Sequence, residues 1–522
     1  MYTYQNPVIK GFNPDPSVCR AGEDYYLVTS SFEYFPGVPV YHSKNLADWT
    51  LVGHCLTRRE QLVLDGARPS GGIYAPTIRV HGGRFYMTTT NVSHRGNFIV
   101  TASDPRGPWS DPVWVTQGGI DPSLLFDGGA VYFTSTDTIG GRTGIFLCEL
   151  DPESLERRTE PVFLTAGGGG RFAEAPHLYK IGKYYYLLLA EGGTEYGHMV
   201  TIFRSLAVAG PYEPCPRNPI LTHRGMDAQH SPVQCTGHAE LFEDHNGNWW
   251  MAALGVRQLP GVFLHNLGRE TFLAPVAWDE DGWPAVAPER ASGANDEQSV
   301  SSHRGGVLAL TMTGPLPGEP AARCDCSPGE ADWVSPSGPD FLYIRNPEPS
   351  RYLRDPQNNT LTLRGNGMAL RETEGAPPVF LGVRQTEFDM AAQAEVTVTE
   401  DGGKGGLVAY YGPDYHYAVY LTRYGGVTYL RTVRRVHDLE ARSERVQIYG
   451  ETATLRIIAG KDFYTLYWLD PSGNPAELAR GATAGLCTEG TASMTFTGTL
   501  LGMFCERGEV VFRGFGVGGT PK

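Results

Sequence analysis

The sequence predicts an all-β protein in which a five-bladed β-propeller is followed by a β-sandwich. Its 522 residues include 65 glycines and 38 prolines, and 11% are aromatic, a composition that favours short strands and turns. One hairpin phrase recurs five times in the first half of the chain, and after Trp283 the sequence becomes rich in Gly, Pro and Ser. A chain of this length is too long for one ordinary core, so two domains are expected.

The repeated phrase is a short strand, a turn rich in Gly, Asp or Asn, and an aromatic-rich strand, which together predict a β-hairpin. Its copies are DPSVCRAGEDYYLVTS from Asp15, APTIRVHGGRFYMTTT from Ala75, DPSLLFDGGAVYFTST from Asp121, APHLYKIGKYYYLLLA from Ala175 and HAELFEDHNGNWWMAA from His238. They open roughly 45 to 65 residues apart, as expected for propeller blades of about four strands. Residues 1–300 are therefore predicted as the propeller, with the opening residues facing its axis. Unrelated hairpins, the alternative, would not share the DPS or APx opening.

The second half of the chain predicts a linker and a sandwich. Residues 301–335 fall in a stretch rich in Gly, Pro and Ser, which is linker composition. Residues 336–522 contain alternating segments without the blade phrase, such as TLTLRG, AEVTVTED, YHYAVYLTR and DFYTLYWLD. Strands at this spacing predict a β-sandwich.

Composition excludes several classes of partner. The net charge of −14 and the absence of a basic run argue against binding to nucleic acid or an anionic membrane. The first residues have no signal-peptide pattern, and no apolar run is long enough to span a membrane. The nine cysteines are scattered without metal-ligand spacing, and only Cys324 and Cys326 are close together. We therefore expect a cytoplasmic protein with reduced thiols, and a homo-oligomer remains open.

Three acids and a histidine stand at or beside the equivalent openings: Asp15, Asp121, Glu174 (immediately before Ala175) and His238. Carboxylates that converge on one axis repel each other's ionisation and raise the pKa of at least one, which can then act as a general acid. Glycoside hydrolysis needs such an acid together with an ionised carboxylate. Taken singly, the two Asp-Pro acids could be turn formers, Glu174 a solvated charge and His238 an interior residue. Their shared register favours a cluster.

Other catalytic motifs are missing, since the chain has no GxxxxGK[ST], HExxH or GxSxG. The run Gly167 to Gly170 is predicted as a flexible approach to Glu174. Phe32, Phe35 and Tyr74 could stack on a sugar face, although aromatic residues in hairpins more often belong to the core.

The chain closely resembles glycoside hydrolase family 43, in the β-xylosidase and α-L-arabinofuranosidase branch with a C-terminal β-sandwich. The motifs that carry the resemblance are NPVIKGFNPDPS, TSSFEYFPGVPVYHSKNLADWTLVGH, SGGIYAPT, GGIDPSLLFD, EAPHLYKIGKYYYLLLAEGGTEYGH, TGHAELFEDHNGNWW and LGRETFLAPVAWDEDGWP. The resemblance implies an inverting, exo-acting hydrolase with Asp15 as general base, Asp121 as pKa modulator and orienting carboxylate, and Glu174 as general acid.

The resemblance also implies substrate contacts. Arg269 is expected to touch the substrate near Asp121, His238 to lie in the axial pocket, and Phe32 and Tyr74 to line the site of the terminal sugar. Relatives often carry Trp at the position of Tyr74, so this residue is expected to tune sugar preference. A sandwich loop, placed around residues 502–505, is expected to help close the pocket.

No cofactor is expected to be required. Some relatives bind calcium on the axis, and here only His238 is offered as a metal ligand, without a carboxylate cage. The expected reaction is release of terminal β-D-xylose or α-L-arabinofuranose from short oligosaccharides derived from xylan or arabinan. The alternatives are a carbohydrate-binding propeller without catalysis, and a retaining five-bladed fructan or sucrose hydrolase.

Overall fold

The computed structural model describes residues 1–227, 231–287, 305–321 and 340–520. These residues are built almost entirely from strands in five blade sheets, two larger sheets and two short ribbons. Three 3₁₀ turns are the helical elements of this part of the chain: Pro349–Arg351, Thr483–Leu486 and Thr488–Gly490. No helix within the described ranges is long and apolar enough to span a membrane.

The first half of the chain forms the predicted five-bladed propeller. Each blade is an antiparallel sheet whose strands follow chain order, with two exceptions. In blade 1, β4 (Tyr34–Phe35) lies between β3 and β5 in the chain but pairs with a strand outside the blade, and in blade 4 the short strand β19 also pairs with β17. Blade 1 contains β2 (Ser17–Ala21), β3 (Asp24–Val28), β5 (Gly37–Ser43) and β6 (Thr50–Leu56); blade 2 contains β7 (Thr77–His81), β8 (Arg84–Asn91), β9 (Gly96–Ala102) and β10 (Val113–Trp114). Blade 3 contains β11 (Ile120–Asp127), β12 (Ala130–Ile139), β13 (Arg142–Leu150) and β14 (Val162–Thr165). Blade 4 contains β15 (Glu174–Ile181), β16 (Tyr184–Glu191), β17 (Met199–Ser205), β18 (Glu213–Pro214) and β19 (Leu221–Thr222); blade 5 contains β20 (Val233–Glu243), β21 (Trp249–Arg257), β22 (Glu270–Trp278) and β23 (Pro284–Val286).

Four of the five opening residues share an unusual backbone conformation. Asp15, Asp121, Ala175 and His238 have φ angles of 58°, 54°, 53° and 42°, in the left-handed region that non-glycine residues rarely adopt. In blades 3, 4 and 5 the pairing register of the innermost hairpin shifts at this point. Such bulges re-aim a side chain, and a proline after the bulged residue loses no ladder hydrogen bond.

One guanidinium joins all five blades below these openings. Arg79 of blade 2 donates to Ser17 Oγ of blade 1 (3.4 Å) and to the Leu124 carbonyl of blade 3 (3.1 Å). It also contacts His177 Nδ1 of blade 4 (3.2 Å) and both carboxylate oxygens of Glu240 in blade 5 (2.9 and 3.1 Å). Because a buried charge pair is stable only when fully hydrogen-bonded, this cluster holds the inner strands in one arrangement.

The second half of the chain is a sandwich of two antiparallel sheets, as predicted. The first sheet runs in the order β26 (Tyr352–Asp355), β27 (Thr360–Arg364), β39 (Glu509–Gly518), β29 (Met390–Val398), β35 (Thr452–Ala459), β36 (Phe463–Leu469) and β37 (Pro475–Ala482). The second runs in the order β28 (Val379–Arg384), β38 (Leu500–Arg507), β30 (Lys404–Gly412), β31 (Tyr415–Tyr424), β32 (Val427–Val436) and β33 (Leu439–Arg442), with β34 (Val446–Ile448) also on β32. Alternate residues such as Leu455 and Ile457 bury into the core between the sheets. The opposite face of the second sheet packs on the propeller, for example through Tyr410 against the cluster that contains Phe12.

The predicted linker is more structured than its composition suggests. Residues 305–321 return to the propeller, where β24 (Thr311–Gly314) pairs with the N-terminal strand β1 (Tyr2–Gln5). Further on, β25 (Tyr343–Ile344) pairs with β4 (Tyr34–Phe35), so backbone hydrogen bonds connect the start of the sandwich domain to the propeller. The rest of the predicted linker, together with Cys324 and Cys326, lies outside the described residues. The seven other cysteines are buried and free.

Candidate active site

Asp15 lies buried on the axis among three partners. Ser30 Oγ donates to Asp15 Oδ2 (2.5 Å), Arg269 Nη1 donates to Oδ1 (3.1 Å), and His238 Nδ1 lies 3.4 Å from Oδ1. Burial alone would raise the pKa of Asp15, but Arg269, His238 and the Ser30 hydrogen bond together outweigh burial and hold it below its ordinary value. Asp15 is therefore ionised at neutral pH.

Asp121 and Glu174 form a pair with the opposite property. Burial, the Glu174 charge and the Asp15 charge raise the pKa of Asp121 well above its ordinary value. Burial and the Asp15 charge raise the pKa of Glu174 to about 7. The pair therefore retains at least one proton at neutral pH. Glu174 is half-buried whereas Asp121 is buried, so Glu174 is the member that open solvent and a ligand can reach.

Arg269 follows a glycine with a φ of +83° at position 268, which turns the chain into the pocket. The resemblance implied that Arg269 lies near Asp121. Its direct ion pair is with Asp15, and its charge also lowers the pKa of Asp121. The same guanidinium donates to Thr194 Oγ1 (3.0 Å) and to the Phe496 carbonyl (3.3 Å). Arg269 of blade 5 is thus hydrogen-bonded to both blade 4 and the sandwich domain.

Three aromatic rings form one wall of the site. The centroids of Phe32 and Tyr74 are 5.8 Å apart, and Phe496 lies 5.8 Å from each of them. Phe32 and Tyr74 are therefore adjacent, and a residue of the sandwich completes the set. The amide of Phe496 donates to Ser70 Oγ (3.0 Å), which fixes this segment on the propeller. Phe35 instead packs towards Tyr343, away from the acids.

The placement of the closing loop around residues 502–505 is wrong. These residues belong to β38, whose side chains are buried within the two sandwich clusters. The preceding segment, which carries Phe496, reaches the pocket. Sequence reasoning missed Phe496 and Thr194 because nothing local in ASMTFTG or EGGTEYG distinguishes a residue that contacts a distant segment from an ordinary strand or turn residue.

His238 faces Asp15, and the residues around it do not form a calcium site. Burial lowers the pKa of His238, although the Asp15 charge opposes this effect. Within residues 1–227, 231–287, 305–321 and 340–520, no three His, Cys, Asp or Glu side chains are grouped as ligands for a metal. Calcium takes six to eight oxygen ligands. The described side chains around His238 therefore offer no carboxylate cage for calcium, and no catalytic step is assigned to one.

The sequence suggested that the run Gly167 to Gly170 is a flexible approach to Glu174, and this prediction is wrong. The amides of Gly168 and Gly170 donate to the two oxygens of buried Glu191 (2.7 Å each), and Thr201 donates to the same carboxylate (2.6 Å). A Cβ at Gly170 would lie 2.8 Å from the Glu191 side chain. The glycines therefore close on a carboxylate and hold the segment before Glu174 rigid.

Two family models together match most of the chain. Residues 4–284 match the glycosyl hydrolases family 43 model, and residues 335–510 match that of a β-xylosidase C-terminal concanavalin A-like domain. A non-reducing end α-L-arabinofuranosidase of Bacteroides ovatus is 39% identical over 513 residues, which cover 97% of this chain and 91% of that protein. A xylosidase/arabinosidase of Butyrivibrio fibrisolvens is 49% identical over 300 residues, covering 55% of this chain and 57% of that protein.

Solved structures agree over the full length. A Bacteroides ovatus protein described as xyloglucan PUL GH43B superposes with a TM-score of 0.88 at 36% identity, covering 99% of this chain and 100% of that chain. A xylan β-1,4-xylosidase from Bacillus halodurans superposes with a TM-score of 0.84 at 30% identity and the same coverage. The two-domain arrangement is therefore shared with experimentally determined structures.

Proposed function

The chain belongs to glycosyl hydrolase family 43, and on that premise we propose that it releases terminal β-D-xylose or α-L-arabinofuranose from short xylan- or arabinan-derived oligosaccharides. Enzymes of this family invert the anomeric configuration, so water displaces the leaving group in one step. The observation that carries the proposal is the opposite perturbation of the axial carboxyl groups. Asp15 has a lowered pKa, whereas Asp121 and Glu174 have raised ones.

Asp15 is proposed as the general base. Its carboxylate is ionised and held by Ser30 and Arg269, which leaves it oriented to accept a proton from a water on one face of the sugar. Its low pKa keeps it unprotonated across the working range, at the expense of basicity. Arg269 also presents a fixed guanidinium that can hydrogen-bond a sugar hydroxyl.

Glu174 is proposed as the general acid. Its pKa of about 7 keeps it protonated until neutral pH, so that it can donate to the departing glycosidic oxygen. Asp121 is buried, and the Glu174 charge helps to raise its pKa because like charges disfavour double ionisation. Asp121 is therefore proposed as the carboxylate that modulates and orients Glu174.

The aromatic wall supports exo action on a single terminal sugar. Phe32, Tyr74 and Phe496 enclose one side of the site with rings from both domains. A wall to which the sandwich contributes a ring supports a site that receives the end of a sugar chain. The relatives described above are named as an arabinofuranosidase and a xylosidase/arabinosidase, which supports a terminal pentose as the substrate.

The experiment compares aryl β-D-xyloside with aryl α-L-arabinofuranoside, and follows the first-formed anomer by proton NMR. We expect turnover of at least one substrate with inversion, and loss of kcat/KM above about pH 7 as Glu174 loses its proton. Asp15→Asn should abolish turnover. Retention of configuration would favour the fructan-type alternative, and binding without sugar release would favour the non-catalytic one. A parallel assay with chelator tests the expectation that no metal is required.

A further inference from the structure

Phe172 is an exposed aromatic residue in a strained backbone conformation. Its side chain is 65% exposed, so burial in the core does not explain the ring. Its φ angle is 52°, in the left-handed region where a bulky residue is an outlier. Strain of this kind persists where the surrounding structure enforces it, and it is concentrated at functional sites.

The surrounding structure does hold Phe172 in place. On the N-terminal side, the amides of Gly168 and Gly170 are bonded to Glu191. The carbonyl of Arg171 accepts a hydrogen bond from the Gly192 amide (2.7 Å). On the C-terminal side, the chain enters β15 at Glu174. The ring is therefore presented on a fixed support.

This support lies next to the start of the strand that carries Glu174. Phe172 precedes Glu174 by two residues, and a Cβ placed on Gly193 would lie 3.4 Å from the Phe172 ring. The residue after Gly193 is Thr194, which accepts the hydrogen bond from Arg269. The ring therefore stands between the strand that carries Glu174 and the loop that contacts the substrate-binding guanidinium. The Arg171 guanidinium carbon lies 5.3 Å from the ring centroid.

We propose that Phe172 is the stacking platform for the leaving-group sugar, the residue attached to the terminal pentose. The inference rests on the proposed function, because a general acid at Glu174 must reach the glycosidic oxygen, and the next sugar begins at that oxygen. Sugar rings present an apolar C–H face that packs on an aromatic ring. The ligand class is therefore a pyranose or furanose unit linked to the terminal sugar.

The test separates the two sugar positions by choice of substrate. A disaccharide of the pentose that the wild-type enzyme cleaves, such as xylobiose, occupies both positions. The corresponding glycosyl fluoride, such as xylosyl fluoride, has no sugar in the leaving group. We expect Phe172→Ala to lower kcat/KM for the disaccharide about tenfold, equivalent to 1.4 kcal/mol, and to change kcat/KM for the fluoride less than twofold.

Two companion variants separate the ring from the backbone. Phe172→Gly removes the ring and also relieves the positive φ, so it should fold at least as well as the wild type and lose the same activity. Phe172→Trp keeps a stacking surface and should remain near the wild type. Tyr449→Ala removes a ring that is 99% exposed in the sandwich domain, and it should leave both substrates unaffected.

Each outcome decides the inference. A tenfold loss confined to the disaccharide in both Phe172→Ala and Phe172→Gly supports it. An equal loss on both substrates, or no loss on either in an active enzyme, overturns the platform and leaves the proposed function standing. A wild type inactive on every xylose and arabinofuranose substrate overturns the proposed function, and the platform with it.

Discussion

Glu174→Gln tests the electrostatics of the acid pair through stability as well as through catalysis. In the folded protein, burial and the Asp15 charge raise the pKa of Glu174 from 4.5 to about 7. Each pKa unit corresponds to 1.36 kcal/mol, so the ionised form is disfavoured by about 3 kcal/mol. Because the folded pKa lies above the unfolded one, this proton stabilises the fold below about pH 4.5. That stabilisation is lost as the pH rises to about 7.

A glutamine does not titrate, so the variant should gain stability relative to the wild type as the pH rises through this window. The gain should approach about 3 kcal/mol above pH 7. Loss of the Glu174 charge also eases ionisation of Asp121, which acts in the same direction. The measurement is urea unfolding from pH 4 to pH 8, followed by tryptophan fluorescence. At the same time, turnover of an oligosaccharide should fall 10²- to 10⁴-fold, because the leaving oxygen is no longer protonated.

Glu195→Gln is the matched control, since Glu195 lies on the neighbouring loop with a side chain that is 52% exposed. Its unfolding is measured over the same pH range for comparison with Glu174→Gln. A constant difference between the wild type and Glu174→Gln from pH 4 to pH 8 would refute the raised pKa. The assignment of Glu174 as the acid would then rest on kinetics alone.

Three further substitutions test the supports of the site. Arg79→Met leaves Glu240 buried without its charged partner and should destabilise the protein by about 3–5 kcal/mol. A change in the thermal midpoint too small to detect would contradict the stabilising role of the Arg79 contacts with the five blades. Phe496→Ala removes two aromatic contacts from the pocket wall and should raise KM roughly tenfold with a smaller effect on kcat, as steady-state kinetics would show. Gly170→Ala places a Cβ 2.8 Å from Glu191 and should cost about 1–3 kcal/mol in chemical denaturation, whereas a neutral result would mean that the glycine run can relax.

The five openings show how much of the site a sequence repeat can predict. Equivalent positions in equivalent blades must lie around one axis, so the convergence of Asp15, Asp121, Glu174 and His238 could be predicted from spacing and shared register alone. The repeat did not indicate that four openings have positive φ angles. A backbone bulge depends on pairing with the next strand, and that pairing is not visible in a single strand's sequence.

The glycine run before Glu174 shows the opposite limit. Four consecutive glycines predict freedom when read alone, yet Gly168 and Gly170 bind a carboxylate that lies over twenty residues later in the chain. The sequence did not reveal the partner of these amides, Glu191, which is the last residue of β16 in the same blade. Local composition describes what a segment can do, and its contacts select one of those conformations.

The sequence by itself determined the class of fold, the number of blades and the identities of the acids, because each follows from periodicity and residue type. Only the tertiary structure decided which acid Arg269 pairs with, which carboxyl groups keep a proton and which sandwich residue closes the pocket. These properties depend on distances and burial between segments far apart in the chain, where a shift of a few ångströms changes an electrostatic interaction severalfold.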